Sequence, residues 1–209
     1  MKLIYILIFA PIFFSCAHNE VSVKKEFQPT LNLENYQTAY FASGCFWCVE
    51  AIFESVKGVA EVESGYSGGE IINPTYQQVS AGVTKHAEAV KVYYDSTIIS
   101  YSTLLDVFFN SHDPTTLNQQ GPDRGYQYRS AIFYQTEEEK ELANSKVSEL
   151  ISQKVYPLIT TQIVAFKAFY IAEDYHQDYE KNNPGNGYVQ AVSIPRLNAF
   201  KRKMPAILK

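Results

Sequence analysis

Two cysteines three residues apart, Cys45 and Cys48, are the side chains of this 209-residue sequence whose type and spacing most clearly indicate chemistry. Cys45 lies directly before an amphipathic helix pattern, so it falls at a predicted helix N-terminus. A thiolate is the nucleophilic form of cysteine, and the partial positive charge at a helix N-terminus stabilises it. Cys45 is therefore a candidate nucleophile. Cys48 follows one helical turn later and can close a disulfide onto an oxidised Cys45.

The spacing of this pair favours redox chemistry over a structural cross-link. An entropic cross-link gains little stability from so short a loop. Phe46 and Trp47, between the cysteines, place two large rings beside the nucleophile, where they suit an apolar group such as a methyl. Two cysteines buried in a helix without a redox role are the alternative interpretation.

Glu88 is the candidate acid. In the strand pattern over residues 86–94, alternation with period two places Glu88 on the same face as Val90 and Val92. Burial disfavours the charged form of a carboxyl, so the pKa of Glu88 should rise and the group can stay protonated near neutral pH. Such a group acts as a general acid. A glutamate exposed to solvent on an edge strand is the alternative.

Hydrophobic periodicity predicts the elements that must position these residues. The predicted strands cover residues 38–42, 59–66, 86–94, 130–134 and 163–171, and the predicted helices cover residues 46–56, 102–110, 136–154 and 194–203. Because strands and helices mix without strict alternation, the sequence predicts a single compact α+β domain with helices packed on a mixed, mostly antiparallel sheet. Two long segments rich in Gly, Pro, Asn and Tyr, residues 67–85 and 112–129, are predicted to be functional loops.

The N-terminal residues have the pattern of a cleaved signal peptide, predicted here over residues 1–15. An apolar run follows Lys2 and ends shortly before Cys16; as a helix it would span about 18 Å, short of the roughly 30 Å hydrocarbon core. The residues before Cys16 resemble a bacterial lipoprotein cleavage box. We therefore expect a lipid on Cys16, a flexible tether over residues 16–35 and a folded domain over residues 36–209. This predicts an exported, membrane-anchored lipoprotein facing the periplasm of a bacterium, with an ordinary secretory signal as the alternative.

The composition limits the classes of protein to which this chain can belong. A hydrophobic content of 46% and an aromatic content of 14% suffice for a sizeable core. The net charge is −4 and the chain has no long basic run, so the electrostatic signature of a nucleic-acid binder is missing. No nucleic-acid partner is therefore expected.

Six different short motifs, rich in polar and aromatic residues, occur along the chain. They read GCFW, NPTY, HAE, HDPTT, QG-D-G-QYRS and EDYHQ, and they begin at Gly44, Asn73, His86, His112, Gln120 and Glu173. In these motifs and their order, residues 36–188 resemble the A-class peptide methionine sulfoxide reductases. The resemblance implies a ferredoxin-like core inside the α+β fold and an enzyme that reduces methionine sulfoxide.

The resemblance also implies a role for each site residue. It assigns catalytic roles to Cys45, Cys48, Glu88, Tyr76 and Tyr128, and substrate binding to Phe46, Trp47, Asp123 and His86. Phe46 and Trp47 would form the methyl pocket. The two tyrosines and Asp123 would surround the sulfoxide oxygen or the substrate backbone. No metal or organic cofactor is required.

In the implied reaction, Glu88 protonates the sulfoxide oxygen while the Cys45 thiolate attacks the sulfur of the S epimer. Methionine leaves, and Cys45 becomes a sulfenic acid. Cys48 condenses with it to a disulfide, which a thioredoxin-like dithiol must reduce by exchange. The substrate is methionine sulfoxide, free or in proteins, and the implied role is repair of oxidised proteins.

Two positions depart from the family's pattern. Lys85 stands where members commonly have Gly before HAE. Residues 181–209 contain no cysteine, whereas many relatives carry resolving cysteines in the C-terminal tail. Resolution must therefore fall to Cys48.

Three other functions stay open on the sequence alone. A general thiol-disulfide oxidoreductase would explain the CxxC pair but gives no role to Glu88 or to the tyrosine-bearing loops. A structural zinc site lacks a second ligand pair at metal spacing, because the histidines are scattered at His18, His86, His112 and His176. A noncatalytic surface lipoprotein that binds peptides in an aromatic cleft is the third alternative.

Overall fold

The structure, a computed structural model, describes residues 32–209. The predicted signal peptide over residues 1–15, the lipidation of Cys16 and most of the predicted tether lie outside the described residues. Within residues 32–209, no helix is long and apolar enough to cross a membrane. A short 3-10 helix, Leu33–Asn35, leads into the first strand.

Strands and helices mix along the described chain. The strands are β1 (Gln37–Ser43), β2 (Val59–Ser67), β3 (Ala87–Tyr94), β4 (Gln119–Gln120), β5 (Asp123–Arg124), β6 (Ser130–Tyr134), β7 (Gln162–Ala165) and β8 (Phe169–Ile171). The helices are α1 (Phe46–Glu54), α2 (Tyr76–Ser80), α3 (Tyr101–Ser111), α4 (Glu137–Ser152), α5 (Tyr179–Asn182) and α6 (Ile194–Lys203).

The main sheet has six strands in the order β7-β6-β1-β3-β2-β8. Every neighbouring pair in it is antiparallel except β6 and β7, which run parallel. The run β1-α1-β2-β3-α3-β6 gives the inner strand order β6-β1-β3-β2, which is the ferredoxin-like arrangement. The predicted α+β class and the ferredoxin-like core are therefore confirmed.

The core lies between the sheet and helices α1 and α3. Phe41 of β1 stacks on Phe53 of α1, with ring centroids 5.1 Å apart, and on Phe108 of α3, with centroids 5.3 Å apart. The predicted apolar face of α1, which includes Val49 and Ile52, is buried here too. Fully burying one such side chain contributes about 1.5 to 3 kcal/mol. This packing fixes α1, and with it both cysteines, against the sheet.

The prediction of one strand over residues 163–171 is wrong, because the chain crosses a face of the sheet there. β7 lies on one edge of the sheet and β8 on the other. In a flat sheet these edges would be about 24 Å apart, whereas the chain from Ala165 to Phe169 spans at most about 14 Å, so the sheet must curl. Phe166 and Phe169 pack on Tyr40 inside the curl. Small side chains leave room for these rings, namely Ala42, Ala87, Ala89 and Ala131.

Candidate active site

The turn between β1 and α1 places Cys45 at the start of α1. Gly44 has a φ of 92°, in the left-handed region that favours glycine. A side chain at Gly44 would also collide with Gln120, since an added Cβ would lie 2.6 Å from the Gln120 Cβ. Cys45 is the N-cap residue of α1 and is 7% exposed. Its predicted position at a helix N-terminus is confirmed.

Glu88 lies on β3 beside the first turn of α1. Its side chain is buried on the same sheet face as Val90 and Val92, as the alternation predicts. The backbone N–H of Phe46 donates a hydrogen bond to Glu88 Oε2 over 3.1 Å. Burial raises the pKa of Glu88 to about 8, although the bond from Phe46 opposes the rise. At pH 7 Glu88 is therefore mainly a carboxylic acid that can donate a proton.

A cavity of about 270 Å³ brings the chemistry-bearing side chains together. It is lined by Cys45, Phe46, Trp47, Tyr76, Glu88, Asp123, Tyr128, Asn186 and Tyr188. Two larger cavities lie elsewhere on the molecule, and the predicted site residues are not among those that line them. Burial raises the pKa of Tyr76 to about 12 and also raises that of Tyr128, and the neighbouring Glu88 adds to both shifts. Both phenols therefore keep their protons and can donate hydrogen bonds.

Trp47 is held in the cavity wall by two residues from the C-terminal part of the chain. Its Nε1–H donates a hydrogen bond to His176 Nδ1 over 3.0 Å, and its ring stacks on Tyr179 with centroids 3.6 Å apart. Burial lowers the pKa of His176 to about 4, so the imidazole is neutral near pH 7 and Nδ1 can accept this bond. The EDYHQ motif therefore orients Trp47.

Glu173, in the same motif, fixes the position of Tyr76. Its carboxylate accepts hydrogen bonds from the backbone N–H of Tyr76 over 2.9 Å and from the hydroxyl of Tyr66 over 2.8 Å. Tyr76 begins α2, which lies inside the predicted functional loop, and Tyr66 pairs with Glu88 across β2 and β3. Glu173 thus ties the loop to the strands that carry the acid.

Tyr188 and Asn186 line the cavity although they were not predicted. The Tyr188 hydroxyl donates a hydrogen bond to Asp123 Oδ2 over 2.6 Å and lies 3.9 Å from Cys48 Sγ. Asn186 Oδ1 accepts the backbone N–H of Tyr188 over 2.9 Å. The one available signal was the turn-rich composition of residues 182–187, which read NNPGNG.

His86, predicted among the substrate-binding residues, is not one of the residues that line this cavity. Its Nδ1 accepts the backbone N–H of Gly69 over 3.1 Å, and its Nε2 lies 2.8 Å from the carbonyl oxygen of Ile71. Both ring nitrogens are thus used by the loop backbone. His86 shapes the loop that carries Tyr76.

The two thiols are free and buried, and their pKa values shift in opposite directions. Burial raises the pKa of Cys45 well above its usual range, and the hydrogen bond to Cys48 and the nearby Glu88 add to the rise. The bond from Cys45 lowers the pKa of Cys48 to about 6, and Arg196 and the Ser193 hydroxyl lower it further, although burial opposes them. At rest the proton therefore stays on Cys45. Burial therefore opposes the stabilisation that is expected for a Cys45 thiolate at the helix N-terminus.

In the part of the chain that the structure describes, no group of three or more His, Cys, Asp or Glu side chains is arranged to hold a metal ion. The site consists of a buried thiol pair, a carboxylic acid, phenol donors and an aromatic wall. A thiol and a proton donor in one apolar cavity can reduce a small polar group such as a sulfoxide.

Comparison with known proteins decides the family. The family model described as peptide methionine sulfoxide reductase matches residues 37–207. The chain belongs to this family. The peptide methionine sulfoxide reductase MsrA of Pasteurella multocida (strain Pm70) is 50% identical over 173 residues, which cover 83% of this chain and 99% of that protein. The MsrA of Deinococcus radiodurans is 50% identical over 168 residues, which cover 79% and 81%.

Two solved structures have a similar fold. Mxr1 from Saccharomyces cerevisiae in reduced form has a TM-score of 0.68 and 36% identity, and the match covers 73% of this chain and 88% of that chain. Methionine sulfoxide reductase A of Corynebacterium diphtheriae has a TM-score of 0.67 and 33% identity, and the match covers 76% and 83%. The chain is a peptide-methionine (S)-S-oxide reductase that depends on thiols, and the rival functions are not favoured.

Lys85, the departure from the pattern of the peptide methionine sulfoxide reductases, has a φ of 57° and is exposed. This conformation costs a non-glycine residue about 1 to 2 kcal/mol, whereas glycine loses about 0.5 to 1 kcal/mol more chain entropy on folding. Lys85→Gly should therefore change the free energy of unfolding by only about 1 kcal/mol. The single-turnover rate should change by less than about tenfold, because the side chain only flanks the acid. Denaturant unfolding and rapid-quench methionine release measure the two effects, and a larger rate change would give this loop a role in the chemistry.

Proposed function

We propose that Cys45 attacks the sulfur of methionine S-sulfoxide while Glu88 donates a proton to the sulfoxide oxygen. The observation that carries this assignment is the hydrogen bond from the Phe46 N–H to Glu88 Oε2. It joins a carboxyl whose pKa is raised to about 8 to the helical turn that bears Cys45. Nucleophile and acid thereby act on the same substrate sulfoxide.

The other cavity residues position the substrate. Tyr76 and Tyr128 keep their hydroxyl protons and stabilise the charge that develops on the oxygen. Phe46 and Trp47 accept the methyl group, and the hydrogen bond from Trp47 to the C-terminal segment keeps this ring in place. Asp123 faces the substrate backbone. With its oxygen, methyl group and backbone held in this way, the substrate has its sulfur between Cys45 and Glu88.

The thiol pair takes up the oxygen of the sulfoxide and passes on the thiol protons. As the Cys45 sulfur attacks, its proton passes to Cys48, its hydrogen-bond partner. The oxygen passes from the methionine sulfur to the Cys45 sulfur: the S–O bond of the sulfoxide and the transient bond between the two sulfurs break, and a new S–O bond forms at Cys45. With the proton from Glu88 this oxygen becomes the hydroxyl of a sulfenic acid, and methionine leaves. Cys48 then forms the disulfide and water is released. An external dithiol must reduce this disulfide by exchange, and we assign that role to a thioredoxin-like protein.

Turnover of the separated S and R epimers of methionine sulfoxide with dithiothreitol tests this function. We expect reduction of the S epimer alone. Reduction of insulin disulfides, measured beside it, should be negligible, because a general thiol-disulfide oxidoreductase needs neither the acid nor the phenols. Equal turnover of both epimers, or insulin reduction without sulfoxide turnover, would contradict the proposal.

We also propose that the chain is exported and anchored in a membrane through a lipid on Cys16. The apolar run after Lys2 and the cleavage-box residues before Cys16 support this. Residues 16–35 would then tether a domain that faces the periplasm. Fatty-acid labelling of the full-length chain expressed in a bacterium should mark the wild type and spare Cys16→Ser, and labelling of both or of neither would count against the anchor.

A further inference from the structure

Cys48 has a partner to which the proposed reaction gives no role. Its Sγ lies 2.9 Å from Ser193 Oγ, and both side chains are buried. Ser193 ends a π-helical turn, Val189–Ser193, that runs directly into α6. Turns of this kind are rare and occur frequently at functional sites.

Arg196 fixes the position of this turn. Its Nε donates a hydrogen bond to the carbonyl oxygen of Ser111 over 2.8 Å, and its Nη2 donates one to that of Ser43 over 2.9 Å. The ends of β1 and α3 are thereby joined to the start of α6 around Cys48. Because these bonds anchor the turn, the Ser193 hydroxyl is held against the Cys48 sulfur.

The ionisable groups that face Cys48 come from several elements. They are Cys45, Glu88, Glu180, Tyr188 and Arg196. The two carboxyl groups disfavour a negative sulfur when they are ionised, and the guanidinium and the hydrogen-bond donors favour it. Ser193 does not titrate, so its replacement removes no charge of its own. Its hydroxyl also lowers the pKa of Glu180, which burial raises to about 7.

We propose that Ser193 is a positioning residue for the resolving step, in which its hydroxyl donates a hydrogen bond to Cys48 Sγ and holds that sulfur for attack on Cys45. This role rests on the proposed function. The bond between the two sulfurs forms and the S–O bond of the Cys45 sulfenic acid breaks. The Cys48 thiol proton leaves with that hydroxyl as water, so the sulfur of Cys48 is oxidised and that of Cys45 is reduced.

Ser193→Ala removes this donor. A hydrogen bond to a charged group shifts a pKa by about one to two units, so the pKa of the Cys48 thiol should rise. Because the pKa of Cys48 is about 6 in the wild type, the thiolate fraction at pH 6 then falls by about 5- to 50-fold, and the greater nucleophilicity of a more basic thiolate recovers part of the loss. Resolution should therefore be slower by about twofold to fivefold at pH 6 and faster by about threefold at pH 9.

The test is a competition for the sulfenic acid during one turnover of the full chain without reductant. Dimedone traps the Cys45 sulfenic acid, and mass spectrometry gives the ratio of this adduct to the Cys45–Cys48 disulfide. Relative to the wild type, Ser193→Ala should raise the ratio by about twofold to fivefold at pH 6 and lower it at pH 9. Ser193→Thr, which keeps the hydroxyl, should restore the ratio. Ser64→Ala, at another fully buried serine, should leave it unchanged.

The outcomes separate this role from the proposed function. Release of about one methionine per enzyme by Ser193→Ala shows that the variant is folded and that the first step still proceeds. A ratio equal to that of the wild type, or raised equally at both pH values, would overturn the role of Ser193 alone. If the wild type releases no methionine or forms no sulfenic acid, the proposed function fails and the Ser193 role fails with it.

Discussion

Cys45→Ser is expected to release no methionine in a single turnover. A serine hydroxyl stays protonated near neutral pH and is a poor nucleophile toward sulfur, so no sulfenic acid can form. The change replaces only the sulfur atom of a buried N-cap residue, and the fold should survive it. Rapid-quench assay of methionine, beside thermal unfolding of the variant, measures both effects.

Cys48→Ser is the matched variant at the second thiol. It should still release about one methionine per enzyme and leave Cys45 as a trappable sulfenic acid, because only the resolving thiol is lost. The first turnover should be slower than in the wild type, since Cys48 also accepts the Cys45 proton. Equal loss of the first turnover in both variants would refute this division of labour.

Glu88→Gln is expected to lower the single-turnover rate by about 10²- to 10⁴-fold, the usual contribution of a general acid. The amide keeps the shape of the side chain, but it cannot deliver the proton that makes the sulfur a good electrophile. Residual activity should remain, because the Tyr76 and Tyr128 hydroxyls still stabilise charge on the oxygen. Glu50→Gln is the matched control, since Glu50 is also a buried glutamate, its pKa is raised to about 9, and it lies outside the cavity. Its rate should stay near that of the wild type.

The pH profile of the same rate provides a second test of Glu88. With its pKa raised to about 8, the acid form is present below pH 8 and is lost above it. The wild-type rate should therefore fall as the pH rises through about 8, although ionisation of Cys45 acts in the opposite direction. Glu88→Gln should lack this alkaline limb. An unchanged rate with an unchanged profile would remove Glu88 from the mechanism.

Positions that depend on one element could be predicted from the sequence. Cys45 follows from the start of a helix pattern, and the burial of Glu88 follows from alternation within a single strand. The crossing of the sheet at Phe166 could not be predicted, because residues 163–171 form an apolar run that only Lys167 interrupts, as in one buried strand. The chain turns there because the Phe166 ring packs on Tyr40, which is remote in the sequence.

Features that depend on contacts between distant segments could not be predicted. The strand pattern includes His86, but the turn at Lys85, with a φ of 57°, leaves His86 outside β3, where the loop backbone uses its ring nitrogens. Tyr188 and Ser193 reach the thiol pair from the C-terminal segment, which has no motif of its own. The protonation of Cys45 depends on the burial that these contacts complete.

One measurement tests the central claim most directly: the products of the reduced wild type mixed with excess methionine S-sulfoxide in the absence of reductant. We expect release of about one methionine per enzyme and conversion of both domain thiols to a Cys45–Cys48 disulfide, mapped by mass spectrometry of the unreduced peptides. The R epimer should give neither product. Methionine release that leaves either thiol free, or that continues for many turnovers without reductant, would contradict the mechanism.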